Sequence, residues 1–311
     1  MKYLLFLLST FAVAFGCSSQ ARQAENASNA DSAVVADVAD SEYTDISKLR
    51  ITPIGRYRSY YTMFYLVSGA TTMGNMAYTL TMKDSVANCD ESSFCYTMAN
   101  LYGPNSSYGN RYEVYKKNAE GWGRIPFKDG FTDLGYELPT GKSAEMEFSS
   151  NKFATPLKNG TYKLCKKVHF NINPHFKLTS DSIVPTATGS MCGAFECRVL
   201  SSRSDSIRMI VINHTQNTCR LSGLPSILDA KTQNRHPLTL SGTTKAYEWM
   251  QANGQIMPGE GILLVIPTSW NLKDIGDAYK RSYYESGRLS EGVYSVSTLM
   301  EIELEAEFRL K

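Results

Sequence analysis

The final segment of the chain, "EGVYSVSTLMEIELEAEFRLK", is apolar at nearly every second position from Tyr294 onward. The positions between these finish as a row of charged residues: Glu301, Glu303, Glu305, Glu307, Arg309 and Lys311. A period of two predicts a β-strand with one buried and one solvated face. Shorter stretches of similar character are separated by Gly, Asn, Pro and Asp, which favour turns. These stretches are "YTLTMKD", "FCYTMANLYG", "RYEVYKK", "AEMEF", "TYKLCKKVHF", "IRMIVIN" and "GILLVIP". Many short strands predict an all-β fold of antiparallel sandwiches.

An internal repeat bears on how the charged row is interpreted. "LKNGTY" and "LSEGVY" share the pattern L-x-x-G-x-Y, with Gly160 and Tyr162 in the first copy and Gly292 and Tyr294 in the second. Lysines follow the first motif at the positions that glutamates take after the second. Because catalysis would not exchange carboxylates for lysines so freely, we interpret both rows as solvated strand faces. If the two rows attract each other across a domain contact, exposed pairs contribute only about 0–1 kcal/mol.

Each motif predicts a glycine turn that leads into a strand whose first tyrosine packs inward and bonds nearby backbone through its hydroxyl. This resembles the tyrosine corner of immunoglobulin sandwiches. Residues 76–170 resemble bacterial immunoglobulin-like domains of exported proteins through "YTMANLYGPNSSYGNRYEVYKKNAEGWGRIPF", "FTDLGYELPTGKSAEMEF" and "LKNGTYKLCKKV". The second motif implies a diverged second copy. We therefore expect two immunoglobulin-like antiparallel β-sandwiches in tandem, the second with a short helical insertion.

The expected division of the chain follows from these patterns. It comprises a signal peptide (1–16), a lipidated cysteine and flexible tether (17–45), a first immunoglobulin-like domain (46–172), a linker (173–190) and a diverged second domain (191–311). The run "RYRSYYTMFYLVSGATT" has strand spacing. It fits either the first strand of domain one or an extra strand over the edge of that domain.

The amino terminus has the features of an export signal. Lys2 precedes an apolar run, "YLLFLLSTFAVAF", and then Gly16 and Cys17. Thirteen residues are too few to span a bilayer of ~30 Å as a helix. Cys17 after Gly16 resembles a bacterial lipoprotein signal, which implies lipidation of Cys17; ordinary cleavage at a small-x-small site is the alternative. The following segment, 18–42, has no aromatic residue and predicts a flexible tether.

Cysteine usage favours an oxidising compartment. The chain has seven cysteines, and assigning Cys17 to lipid leaves six. An even set in an exported chain predicts up to three disulfides. Cys89–Cys95 and Cys192–Cys197 are close enough in sequence to close small loops, which leaves Cys165 and Cys219 either to form a pair, Cys165–Cys219, or to stay free. A zinc site is the alternative, but the spacings lack a usual ligand order.

Charge limits the classes of partner. The net charge is +2, and residues 1–45 hold two basic and six acidic residues of the 32 and 30 in the chain. The body, 46–311, therefore has 30 basic and 24 acidic residues, a charge of +6. This argues against nucleic acid, which selects a concentrated basic surface, and is compatible with a polyanionic glycan.

Motifs of catalysis, cofactor binding or metal binding are not found in the sequence. The insertion "TSWNLKDIGDAYKRSYYESGR" is the candidate binding segment, with Asn271 as a helix cap. Its aromatic residues either pack on the sandwich end or form a stacking platform for a sugar or peptide: Trp270, Tyr279, Tyr283 and Tyr284.

The sequence thus predicts a non-catalytic binding, adhesion or scaffolding module of the bacterial envelope. We expect a lipid anchor in a membrane, with the outer membrane favoured, and an unidentified glycan or protein partner, without cofactor or metal. The alternative is an envelope enzyme, or an accessory subunit of an envelope hydrolase or assembly complex.

Overall fold

The computed structural model describes residues 43–54, 63–132, 134–186, 190–192, 194–223, 225–232, 254–270 and 287–311. Residues Tyr43–Lys311 form one compact unit. The described residues form strands and turns, with 3₁₀ turns at Ile46–Lys48 and Ser150–Lys152. The all-β, antiparallel prediction is confirmed. Within the described ranges, no helix has the length and apolar character that crossing a membrane requires.

Twenty-four strands are present in the described part of the chain. In the first half they are β1 (Arg50–Pro53), β2 (Met63–Ser68), β3 (Tyr78–Met82), β4 (Val86–Ala87), β5 (Ser93–Asn100), β6 (Ser106–Gly109), β7 (Glu113–Asn118), β8 (Gly121–Arg124), β9 (Gly135–Leu138), β10 (Ser143–Ser149) and β11 (Gly160–Ile172). In the second half they are β12 (His175–Leu178), β13 (Ser182–Pro185), β14 (Ser190–Cys192), β15 (Phe195–Leu200), β16 (Ser202–Arg203), β17 (Ser206–Asn213), β18 (Cys219–Leu221), β19 (Ser226–Asp229), β20 (Gln255–Ile256), β21 (Glu260–Pro267), β22 (Ser269–Trp270), β23 (Gly287–Arg288) and β24 (Gly292–Leu310).

These strands form three main sheets. A three-stranded sheet has the order β10-β5-β3, and a six-stranded sheet has the order β1-β2-β21-β17-β15-β14. The long sheet has the order β16-β13-β12-β24-β11-β6-β9, with β4, β7, β8, β18, β19 and β20 paired beside this path. Strands β22 and β23 pair only with each other in the described residues. Every pairing is antiparallel except that of β4 with β24.

The two repeat strands, β11 and β24, are direct neighbours. They pair from Gly160 opposite Leu310 to Ile172 opposite Thr298. Strands β12 and β13 lie in the segment expected to be a linker, and β12 pairs with the first half of β24. The two halves of the chain therefore share one sheet, rather than forming separate sandwiches joined at 173–190.

Both smaller sheets pack their apolar faces on the long sheet. Phe94 and Phe148 of the three-stranded sheet approach Phe308 of β24, with ring centroids 6.0 and 5.9 Å apart. Phe195 of the six-stranded sheet lies 5.0 Å from Phe170 of β11. One continuous cluster of buried apolar residues connects these contacts. Burial of that cluster is the main stabilising contribution to the fold.

The segment before the first repeat belongs to the six-stranded sheet. Strand β2 pairs with β21 and β1 pairs with β2, so β1 forms an edge. Leu49 and Val67 bury apolar area against Leu263 and Ile212 in a second, smaller cluster. The residues Tyr57, Ser59 and Tyr61 of the predicted strand lie outside the described residues, which leaves Met63, Tyr65 and Val67 in β2.

The two L-x-x-G-x-Y motifs form corners of the same kind. The hydroxyl of Tyr162 donates to the carbonyl of Lys158, and the hydroxyl of Tyr294 donates to the carbonyl of Ser290 at 2.9 Å. Gly160 has φ +154 in the first corner. In the second corner Gly292 packs closely on the ring of Tyr294, from which an added Cβ would lie only 3.3 Å away. Each corner ties the start of a long strand to the turn before it.

Two of the three predicted disulfides, Cys89–Cys95 and Cys165–Cys219, are wrong for this structure. The thiols of Cys89, Cys95, Cys165 and Cys219 are free. Cys165 lies opposite Glu305 on the outward face of the long sheet, whereas Cys219 lies opposite Ile302 on the core face. Because successive residues of a strand point to opposite faces, these two sulfurs cannot meet.

The two short-range pairs have different outcomes. Cys95 is exposed on β5, whereas Cys89 packs partly against the core, so closeness in sequence did not give these two thiols the geometry that a disulfide needs. The side chain of Cys192 lies outside the described residues, and Cys192–Cys197 stays a prediction.

Candidate binding face

Most of the predicted binding and anchoring residues cannot be compared with the fold. Tyr279, Tyr283, Tyr284, Cys17 and the predicted helix that follows Asn271 lie outside the described residues. For Trp270 only the backbone is described, in β22 opposite Gly287. The aromatic insertion therefore begins at a two-stranded stem.

The lysine row of the first repeat and the glutamate row of the second meet across the β11–β24 pair. Lys163 lies opposite Glu307, Cys165 opposite Glu305 and Lys167 opposite Glu303 in the backbone register. Opposite charges on neighbouring strands of one face attract each other. The charged rows of the two repeats are thus two halves of a single surface.

Glu301 departs from the predicted solvated row. It is 5% exposed, whereas Glu303, Glu305 and Glu307 are exposed. Lys167 Nζ lies 2.9 Å from Oε1 of Glu301, and Arg220 Nη2 lies 2.7 Å from the same oxygen. The interpretation of Glu301 as a solvated residue is therefore wrong, because β18 brings Arg220 to the far side of β24.

His169 also lies beside Glu301 but does not carry a charge. His169 Nδ1 lies 3.7 Å from Oε2 of Glu301, beyond hydrogen-bond distance. Burial lowers the pKa of His169; the charge of Glu301 opposes this shift, and Lys167 and Arg220 reinforce it. His169 is therefore neutral at pH 7, and two other cations neutralise Glu301.

The same face continues across β7 and β8 with aromatic and charged side chains. Lys163 Nζ lies 2.8 Å from Oε1 of Glu305 and over the rings of Trp122 (5.2 Å) and Tyr115 (5.7 Å). Burial, followed by the charges of Glu305 and Glu303, raises the pKa of the Cys165 thiol to about 12. Because nucleophilic cysteines need a thiolate, this thiol is not activated for catalysis.

Two clefts flank Glu301 and Glu303. The first, of ≈ 390 Å³, lies toward β7 and includes Arg111, Glu113, Cys165, Lys167 and His169. The second, of ≈ 550 Å³, lies toward β3 and β18 and includes Thr79, Thr81, Gln216, Thr218, Arg220 and Gln255. We call the surface made by these two clefts the β24 face. Its neutral hydroxyl and amide groups, beside carboxylates, can both donate and accept hydrogen bonds.

A second charged cluster, which the sequence analysis missed, lies on the outward face of the six-stranded sheet. His214 Nδ1 lies 2.6 Å from the carbonyl of Thr71, and its Nε2 lies 3.1 Å from Oε2 of Glu196. A carbonyl and a carboxylate accept hydrogen bonds, so both ring nitrogens donate and His214 is an imidazolium. Burial lowers the pKa of His214, but the bonds to Glu196 and Thr71 outweigh it, and the pKa is raised.

This cluster also fixes the segment before β1. Glu196 accepts from the backbone N of Thr44 at 3.1 Å and from its hydroxyl at 2.7 Å. Arg198 donates to the carbonyl of Thr44 at 2.6 Å, and its Nε lies 3.1 Å from Oε1 of Glu196. Although burial raises the pKa of Glu196, the bonds from His214 and Thr44 and the charge of Arg198 lower it overall. The cluster therefore has a structural role.

Lys166 is a further residue whose role the sequence analysis did not identify. It is 1% exposed, and its Nζ donates to the carbonyl of Gly109 and lies 5.6 Å from the ring centre of Tyr108. Burial lowers its pKa to about 8. The signal was present, because Lys166 interrupts the inward apolar series of Tyr162, Leu164 and Val168 in β11.

Among the described residues, no group of three or more His, Cys, Asp and Glu side chains has the placement to hold a metal ion.

Comparisons with known proteins agree with the first half of this fold. Residues 74–182 match the family model described as "Bacterial Ig-like domain". No curated protein matches the chain. Among solved structures, the chain is similar at 12% identity to the C-terminal globular domain of an oligosaccharyltransferase from Pyrococcus abyssi. That match covers 84% of this chain and 53% of the other, so the chain spans about half its length, with a TM-score of 0.22. The resemblance predicted over residues 76–170 is thus confirmed, and residues 74–182 match the bacterial Ig-like domain family.

Proposed function

We propose that this chain is an exported bacterial lipoprotein that acts as a non-catalytic binding or scaffolding module of the cell envelope. The export signal before Cys17 and the polar tether 18–42 support a lipid anchor that holds Tyr43–Lys311 away from a membrane. The Ig-like match at 74–182 supports a binding role, since such sandwiches present loops and faces around a rigid core.

The observation that carries the proposal is the chemistry of the β24 face. Its clefts are open and offer both donors and acceptors, a composition typical of ligand recognition. Lys167 and Arg220 neutralise Glu301, and the Cys165 thiol has a pKa of about 12. Such a surface recognises a partner and does not activate one.

The anchor is tested in cells of a bacterial host with a Cys17→Ser variant as the matched control. We expect the unmodified chain in the membrane fraction and labelled by a radioactive fatty acid, and the variant in the soluble envelope fraction without label. Labelling of the variant would contradict the assignment of Cys17. Protease treatment of intact cells then distinguishes a surface position from a periplasmic one, with a known periplasmic protein as the reference.

The binding role is tested with the full chain purified in detergent and applied to arrays of envelope glycans and to crosslinking in cells. We expect saturable binding to one glycan class or repeated recovery of one protein partner. Turnover of glycosides, esters or peptides that a point change on the β24 face abolishes would instead make the chain an enzyme.

A further inference from the structure

Two loops that connect strands of the long sheet form a further cleft. It has a volume of ≈ 610 Å³ and lies between the β6–β7 loop and the β8–β9 loop. Its lining residues are Asn110, Arg111, Arg124, Phe127, Asp129 and Phe131, with Gly109, Pro126, Gly130 and Thr132 between them. We call it the arginine cleft. It adjoins the first cleft of the β24 face, with which it shares Gly109 and Arg111.

The two arginines are only partly neutralised. Arg124 Nη2 lies 3.0 Å and Arg111 Nη2 lies 3.6 Å from one oxygen, Oε1 of Glu113. The other oxygen of Glu113 accepts from the hydroxyl of Tyr115 at 2.6 Å. The side chains of Arg111 and Arg124 are 71% and 50% exposed. Since each guanidinium has five N–H donors in a planar fork, both can bind an added anion while keeping Glu113.

The charge around the cleft favours an anionic ligand. Lys152 Nζ lies 5.6 Å from the ring centre of Phe131, and Lys128 is exposed in the same loop. These two lysines and the two arginines are four cations against two carboxylates, Glu113 and Asp129, a balance of +2. Clustered cations also raise the rate at which an anionic ligand associates.

The cleft has a preorganised aromatic wall. Phe131 packs edge-on against Phe127 at 4.7 Å, and Phe127 stacks on Phe153 at 4.9 Å. Asn110 donates to the hydroxyl of Thr132 at 3.0 Å, which joins the two loops. A half-buried ring offers a flat apolar surface to the C–H face of a sugar, and fixed loops lower the ordering cost of binding.

Asp129 makes the cleft selective for sugars over anions that lack hydroxyl groups. An anion without hydroxyl groups is repelled by this exposed carboxylate, whereas the hydroxyls of a sugar can donate to it. We propose that the arginine cleft binds an acidic glycan, with a carboxylate or sulfate group on Arg111 and Arg124 and a sugar ring on Phe131. The inference rests on the proposed binding function and adds to it the class of ligand and the place where it binds.

The test measures the affinity of the full chain for three hexasaccharides: oligogalacturonate, heparin hexasaccharide and neutral maltohexaose. We expect binding to at least one acidic hexasaccharide and much weaker binding to maltohexaose. The variant R111Q/R124Q loses about a hundredfold in affinity, at about tenfold for each charged hydrogen-bonding residue. The matched control K83Q/K177Q changes the charge equally at two exposed lysines elsewhere and keeps the affinity within about twofold.

A second arm uses Asp129→Ala and a hexaglutamate peptide. Asp129→Ala weakens binding of the acidic hexasaccharide and leaves binding of hexaglutamate unchanged or stronger. An equal loss in K83Q/K177Q and R111Q/R124Q would overturn the inference in favour of nonspecific attraction. Tighter binding of hexaglutamate than of both acidic hexasaccharides, or no binding of either hexasaccharide, would also overturn it. If glycan binding survives R111Q/R124Q, the glycan binds elsewhere on the chain. That outcome would overturn the assignment to this cleft and leave the proposed binding function intact.

Discussion

Two buried glutamates each lie beside a histidine, yet the two histidines differ in charge. His214 bonds Glu196 and the carbonyl of Thr71 and is an imidazolium. His169 lies 3.7 Å from Glu301, and its pKa is lowered. The histidine of a buried glutamate–histidine pair is thus protonated in one region of the molecule and neutral in the other.

The two regions differ in how deeply their cations lie and in the distance from each histidine to its glutamate. Around Glu301, Lys167 and Arg220 supply the positive charge, and their side chains are 41% and 38% exposed. Around Glu196, His214 is 9% exposed, so its charge depends on the carboxylate. Glu196 also has a second cation, since Arg198 Nε lies 3.1 Å from it. His214 is charged because it is within hydrogen-bond distance of both Glu196 and the Thr71 carbonyl, whereas His169 lies 3.7 Å from Glu301.

The largest effect that we expect comes from Glu196→Gln. It leaves Arg198 and His214 without their anion and removes a strong acceptor for Thr44, so the free energy of unfolding falls by about 2–3 kcal/mol. The loss is less than that for a fully trapped charge because His214 can deprotonate. Urea unfolding measures it, with Glu145→Gln on an exposed strand face as the control. A loss equal to that of the control would show that the cluster does not stabilise the fold.

Glu301→Gln has the same chemistry and a smaller expected effect of about 1–2 kcal/mol. The half-exposed Lys167 and Arg220 can turn toward water or Glu303 once the carboxylate is gone. The two glutamine variants are therefore compared in one urea series. If Glu301→Gln proves the more destabilising, burial of the neighbouring cations does not explain the difference in stability between the two regions.

Stability should respond to pH in opposite directions at the two histidines. The pKa of His214 is raised, so its contribution is complete below about pH 6.5 and is lost as pH rises through the folded-state pKa. The pKa of His169 is lowered, so stability is lost as pH falls from about 6.5 through the folded-state pKa. Unfolding curves between pH 5 and 9 measure both effects. His214→Gln should remove the alkaline loss and His169→Gln the acid loss; an exchange of these two outcomes would contradict both assignments.

The smallest effect is expected for the exposed neighbour of the Glu301 cluster, Lys163–Glu305. Although the two charges lie 2.8 Å apart, Glu305 is half exposed, so the pair should contribute about 0.5 kcal/mol. A double-mutant cycle with Lys163→Gln and Glu305→Gln measures this interaction separately from the packing of Lys163 on Trp122. A coupling above about 2 kcal/mol would mean that the β24 face is far less solvated than its exposure indicates.

The sequence by itself determined the all-β class, the antiparallel strands and the two glycine–tyrosine corners. These follow from local rules, because a period of two and turn residues act within a few neighbours. The Ig-like resemblance over residues 76–170 also came from local motifs. Most members of the charged row, Glu303, Glu305 and Glu307, were predicted as solvated for the same reason and are exposed.

Only the tertiary structure decided which strands became neighbours. The pairing of β11 with β24 joined the lysine row to the glutamate row, and β18 brought Arg220 to Glu301, 81 residues away in sequence. Glu196 and Thr44 are separated by 152 residues, and no local pattern predicts their contact. The predicted pair Cys165–Cys219 failed for this reason too, since sequence spacing does not specify the sheet face on which a thiol lies. Strand periodicity is a property of the chain, whereas charge state and site chemistry depend on long-range neighbours that folding alone selects.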